Sequence, residues 1–168
     1  MPEMTPLEKL LPCLLDRLTD DEPGKEQESR SKRVISLKKY RQAVERDLVW
    51  LLNTHANEAQ SGYDAYDEIP SSVLNYGVQN VAGMTSSNLG IDDMRYQLGE
   101  ALRRFEPRII PNTISIEVKM DPDEMSHRAL QFEIRGDLWA EPIPESLFIK
   151  TELDLETGKS KLSWGSGG

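Results

Sequence analysis

The sequence predicts an α+β fold: two long helices plus short helical turns, packed on one face of a small antiparallel sheet of three to four strands. Three observations predict it. Apolar residues recur at helical spacing in two stretches before Pro107. After Pro107 the apolar period changes to two. The helical stretches all precede the alternating ones, an order that segregates helices to one side of a sheet rather than interleaving them with parallel strands.

The chain opens on an arm. Leu7, Leu10, Leu11, Leu14, Leu15 and Leu18 form a leucine stripe that Pro12 interrupts. Residues 19–33, TDDEPGKEQESRSKR, hold Pro, Gly, Ser and charge but no large apolar residue, and read as a flexible linker. Residues 1–33 are therefore a tethered arm, which either folds back on its own domain or lays its apolar face, Leu10, Leu11, Leu14, Leu15 and Leu18, in a partner's groove. The folded domain spans 34–164. Ser36 suits an N-cap, and Leu37, Tyr40, Val44, Leu48, Leu51 and Leu52 make one face of a helix running through Thr54. Asn57 to Ile69 reads as a loop, Pro70 to Leu74 as a short helical turn, Asn75 and Gly77 as a turn, and Gly83 to Asn88 as another loop. The second helix runs from Ile91 to Phe105, with Met94, Leu98, Ala101, Leu102 and Phe105 on one face and Pro107 ending it.

The strands follow. Ile114, Ile116, Val118 and Met120 alternate with polar residues, as do Leu130, Phe132 and Ile134, whose partners Gln131, Glu133 and Arg135 are expected to face solvent. Leu147, Ile149, Thr151 and Leu153 mark a third strand, and Lys161 to Trp164 a short fourth after a turn at Thr157 and Gly158. The closing GSGG, residues 165–168, reads as a cloning scar and is set aside from the domain.

Composition excludes several functions. Twenty Lys and Arg against 29 Asp and Glu give a net charge of −9, the wrong sign for a protein whose main task is gripping phosphates, so no nucleic-acid partner is expected. No apolar run reaches the length that crosses a bilayer, so no membrane insertion is expected. The single cysteine, Cys13, forms no internal disulfide, and the opening MPEMTPLEKL lacks the basic and apolar regions of a secretory signal. A cytoplasmic protein is the expectation.

Chemistry is thin. Cys13, His55 and His127 are not spaced as metal ligands, and no metal or other cofactor is expected. Gly158-Lys159-Ser160 resembles the end of a phosphate-binding loop, but Leu153 stands where the first glycine belongs, and the segment joins two strands. No nucleophile elbow occurs. Asp64, Asp67, Glu68, Asp92, Asp93 and Glu106 supply carboxylates, as any chain this acidic does, but no apolar pocket singles one out as a proton donor.

Two local features stand out. In Arg103-Arg104-Phe105-Glu106-Pro107-Arg108, the arginines suit a helix C-terminus, whereas Glu106 opposes the dipole unless something pairs with it. Pro107 disfavours helical backbone at Glu106, and Arg108 follows two residues on along an extended chain, so the two side chains are expected on one side. This pair either docks a partner or pins helix to sheet internally. The second feature is a basic stretch, in which Arg30, Lys32, Arg33, Lys38, Lys39, Arg41 and Arg46 face only Glu45. It is either a solvated face or a surface for an acidic partner.

Three segments together carry a resemblance: Arg46-Asp47-Leu48-Val49-Trp50-Leu51-Leu52-Asn53-Thr54, Ser72-Val73-Leu74-Asn75-Tyr76-Gly77, and Phe105-Glu106-Pro107-Arg108, with Leu14-Leu15-Asp16-Arg17-Leu18 fitting at the N-terminus. In that order they resemble the TssE family, small baseplate subunits of the bacterial type VI secretion system within the phage-tail wedge family long labelled lysozyme-like. The resemblance implies a non-enzymatic part of a contractile injection system, assembled at the inner face of the cell envelope. It implies that Glu106, Pro107 and Arg108, with Arg46 and Asp47, dock the subunit on a wedge core of TssF and TssG. It further implies a sheet like the handshake domain of sheath proteins, which templates sheath assembly by strand pairing, with TssK, the TssB–TssC sheath and the VgrG hub as neighbours. The alternative is a peptidoglycan-acting glycoside hydrolase, as the lysozyme-like label suggests.

Overall fold

The computed structural model describes residues 10, 12–19, 23–24, 35–57, 66–83, 90–119, 129–140 and 143–165. Leu11, His127, Asp64, Met120, nearly all of the linker and residues 166–168 lie outside them. Along the described residues run α1 (Leu14–Leu18), α2 (Leu37–Leu52) and α3 (Ile91–Phe105), then β1 (Ser115–Lys119), β2 (Ala129–Leu138), β3 (Glu145–Asp154) and β4 (Ser160–Trp164). Short 3-10 turns fill Ile69–Ser71, Val73–Asn75 and Pro111–Thr113. This is the expected α+β fold.

Ser36 caps α2, its hydroxyl accepting from the Lys39 amide at 3.3 Å. Tyr40, Ala43, Val44, Leu48, Leu51 and Leu52 are buried. Leu37, expected on that face, is exposed, because the buried stripe begins one turn later at Tyr40. The helix stops at Leu52, two residues before the expected end, where Asn53 caps it. The Asn53 side chain donates to the Val49 and Ser160 carbonyls (2.8 and 3.0 Å) and accepts from the Ser160 amide (3.0 Å), fastening the end of α2 to the start of β4. Just beyond, the Val78 amide donates to the Thr54 carbonyl (2.9 Å) and the Val78 carbonyl accepts from the Ala56 amide (2.9 Å), beside Gly77, which has φ +133° and where a Cβ would lie 2.4 Å from the Thr54 carbonyl oxygen. Only glycine fits there.

Asp92 and Asp93 in the first turn of α3, with Arg103 and Arg104 in its last, match the helix dipole. Leu98, Ala101 and Leu102 are buried, and Gly99 lets α3 approach Ile116 of β1.

The sheet is an antiparallel meander in the order β1-β2-β3-β4, so β1 and β4 are its edges. Ile116, Ile134, Ile149 and Trp164 lie abreast across all four strands, and Val118, Phe132, Thr151 and Leu162 across the next row. This inner face meets α2 and α3 around a core that includes Val44, Leu48, Leu51, Leu102, Ile109, Ile134 and Ile149. On the outer face Glu133 was expected in solvent but is buried. Arg135 bonds it at 3.0 Å, Lys150 stands opposite it, and both cations flank the Phe148 ring, so long side chains cover the carboxylate. The Gly158 turn joins β3 to β4 with Asp154 accepting the Glu156 and Thr157 amides (2.8 and 3.1 Å), a hairpin turn and not a phosphate cradle.

Thr151 is a polar residue on the inner face. Its hydroxyl is buried and finds no hydrogen-bond partner among the described residues. Thr151→Val removes that desolvated hydroxyl at nearly constant shape and is expected to raise the free energy of unfolding by ~1 kcal/mol, read from urea denaturation.

Candidate functional site

The site is built where α3 ends. Glu106 leaves the helix (φ −122°, ψ 76°) while its amide still donates to the Leu102 carbonyl at 3.0 Å. Pro107 forbids continuation. The chain then turns, rather than running extended as the sequence suggested, because the Glu106 carbonyl accepts the Ile109 amide at 3.1 Å. Beyond the turn the Arg108 carbonyl accepts the Trp139 amide (2.7 Å) and the Ile110 amide donates to Asp137 (2.8 Å), stitching this corner to the end of β2.

The turn brings the Glu106 and Arg108 side chains together. Arg108 Nε donates to Glu106 Oε1 at 2.6 Å and Nη2 to Oε2 at 2.5 Å, a bidentate fork. The Arg108 amide adds a third bond to Oε1 at 3.2 Å. Arg108 Nη2 also reaches Asp47 Oδ2 on α2 at 2.7 Å. Asp47 in turn takes Arg46 Nε at 2.8 Å, and Arg46 Nη1 meets Asp16 of α1 at 2.5 Å. Five charges of alternating sign thus run from α3 through α2 to the N-terminal arm. Glu106 is 2% exposed, and its charge at a helix C-terminus is tenable because Arg108 holds both its oxygens. Burial works against the charge on Arg108, but the bonds and charges of Glu106 and then Asp47 outweigh it, and its pKa is raised. Hydrogen bonding to Asp47 does the same for Arg46. Burial pushes the Asp16 carboxyl up, yet bonds from Cys13 and Arg46 prevail and hold it below the usual range. The Asp16 contribution is therefore whole above the unfolded value of about pH 4 and lost as the pH falls through the folded one.

Beside this chain of charges lies an open groove of ≈ 720 Å³. Trp50, Tyr76, Phe105, Pro107 and Trp139 supply its apolar lining, with Leu10, Cys13 and Leu15 from the arm. Trp50 and Trp139 are 50% and 56% exposed. Tyr40 donates its hydroxyl to the Trp139 carbonyl at 2.9 Å, and Tyr76 meets Phe105 edge to face with centroids 5.2 Å apart. Burial pushes both tyrosine hydroxyls up. Arg46 lies over the Trp50 ring at 5.3 Å. Aromatic side chains thus surround a largely buried acid–base pair, Arg108 being 20% exposed.

Of the residues singled out from the sequence, Arg46, Asp47, Glu106, Pro107 and Arg108 come together here. Leu10 packs against the core, whereas Leu14, Leu15 and Leu18 are exposed. The basic stretch is not one free surface, since Arg41 pairs with Glu145 and Arg46 with two aspartates. Trp139, Tyr40 and Asp16 were not foreseen. Tyr40 stands out in the sequence only as a core residue of α2 and Asp16 only as part of the Leu14–Leu18 motif, while Trp139 lies in a segment with no signal beyond its aromatic type. Among the described residues no three His, Cys, Asp or Glu converge as metal ligands, and no helix is long and apolar enough to cross a membrane.

The family model described as Baseplate wedge protein gp25 matches residues 38–143 of the 168, well over half the chain and inclusive of every member of the charge network except Asp16. No curated protein and no solved structure matches it.

Removing one member from the buried end of the network leaves its partner uncompensated. Glu106→Gln is expected to cost ~2–4 kcal/mol of unfolding free energy, and Arg46→Gln at the more exposed end less than ~1 kcal/mol, compared in urea titrations at neutral pH.

Proposed function

Because the chain belongs to the baseplate wedge protein gp25 family, and is thereby a component of a phage-tail-like baseplate, we propose that it docks on a TssF–TssG wedge core of a type VI secretion system through the groove beside Glu106, Pro107 and Arg108. The observation that carries this reading is the joint placement of a rigid corner and exposed aromatic rings. The corner is held by helix, turn and sheet, so its geometry exists before a partner arrives, which lowers the entropic cost of association. Glu106 is spent inside the subunit, where it orients Arg108. Arg108 and Asp47 each remain about a fifth exposed and offer a partner one donor and one acceptor. Trp50, Trp139 and Pro107 supply the area.

The sheet fits the second half of this role. Among the described residues β1 and β4 are its two edges, each paired with a strand on one side only, and an edge of this kind is where a TssB–TssC sheath strand would add. In such an assembly TssK and VgrG would be near neighbours, and the cytoplasmic side of the envelope its place. The hydrolase reading finds no support in this groove. Both Glu106 oxygens are engaged by Arg108, and Asp47 lies between two guanidinium groups, so neither carboxylate stands free to meet a glycosidic oxygen.

The experiment uses exposed positions, which spare the fold. Trp50→Ala and Trp139→Ala, each shown folded by circular dichroism, are expected to weaken co-purification with TssF–TssG by the ~2 kcal/mol or more of an interface anchor, about thirtyfold in Kd. Wild-type binding by both folded variants would place the interface elsewhere.

A further inference from the structure

The N-terminal arm is tied to the domain at two points. The Leu10 carbonyl accepts the Ile35 amide at 3.0 Å, and Asp16 Oδ1 meets Arg46 Nη1 at 2.5 Å. Between them the Cys13 thiol donates to Asp16 Oδ2 at 2.9 Å and lies 3.6 Å from Arg46 Nη2. Apolar burial does little to keep α1 in place: the helix buries no residue, and Leu14 and Leu18 are 70% and 74% exposed. Five residues are too few to hold a helix unaided. What seats this segment is a polar knot around one guanidinium. Once seated, Leu10, Cys13 and Leu15 line the groove together with Pro107 and Arg108.

We infer that Asp16 is the catch of a salt-sensitive clasp, which closes the arm onto Arg46 and thereby builds one side of the groove from the arm itself. Opening the clasp takes the leucine-bearing segment away and leaves Trp50 and Phe105 without that wall. Arg46 is the shared element, because it holds Asp16 with one nitrogen and Asp47 with another. The clasp is a property of the isolated chain and holds whether or not the groove receives a wedge core.

Amide hydrogen exchange by NMR on the full-length protein tests it. The Ile35 amide reports arm closure through its bond to Leu10, and the Ile149 amide in the central strand β3 reports global stability. Asp16→Asn is expected to speed exchange at Ile35 about tenfold, the scale of one charge-assisted hydrogen bond, with Ile149 unchanged. Raising salt from about 0.05 to about 0.5 M is expected to move the wild type in the same direction. Arg17→Gln, on the same short helix but outside the knot, is expected to behave as wild type. The clasp is refuted if Ile35 exchanges at the wild-type rate in Asp16→Asn, if it is unprotected in the wild type, or if Ile35 and Ile149 accelerate together.

Discussion

The Arg108 guanidinium is the interaction on which the rest of this molecule turns. It grips Glu106 at the end of α3 with two bonds and Asp47 on α2 with a third, while its own carbonyl is bonded to the residue that follows β2. One residue therefore joins both long helices through its side chain and the sheet through its backbone. The arrangement solves a local problem first, since a carboxylate buried at the negative end of a helix is untenable without a cation. Having solved it, the corner is held from three sides, by helix, turn and sheet.

The outline of the fold was legible because its signals are local. The α3 boundaries follow from the dipole-matched ends and from Pro107, and the inner face of β3 follows from strict alternation across Leu147, Ile149, Thr151 and Leu153. Departures arose where distance in sequence is large. Glu133 sits at a solvent-facing position of β2 yet is buried, because Lys150 arrives from the neighbouring strand and Arg135 folds over it. The β2 pattern holds Arg135 but not the Lys150 that stands opposite. Asp47 and Arg108 stand 61 residues apart, and periodicity says only that each belongs to its own element. The Glu106–Arg108 proximity was expected, but for a different backbone reason: a turn closed by the Ile109 amide achieves what an extended chain was expected to do.

The resemblance to baseplate subunits and the geometry bear on one another through the same residues. Short motifs scattered over α2, the Ser72–Gly77 turn and the end of α3 converge in space on the aromatic groove and its charges. The match to the wedge family covers these elements and stops short of the arm. Within the arm, Leu10 packs against the core, whereas α1 is seated by polar contacts and differs in kind from the packed faces of α2 and α3.

Both edge strands are only five residues long, and β4 carries Lys161 on its exposed side. A margin so brief accommodates one short visiting segment but gives little purchase for an unending stack of identical chains. The brevity of both edges thus guards the free subunit against fibril growth, whatever else pairs there.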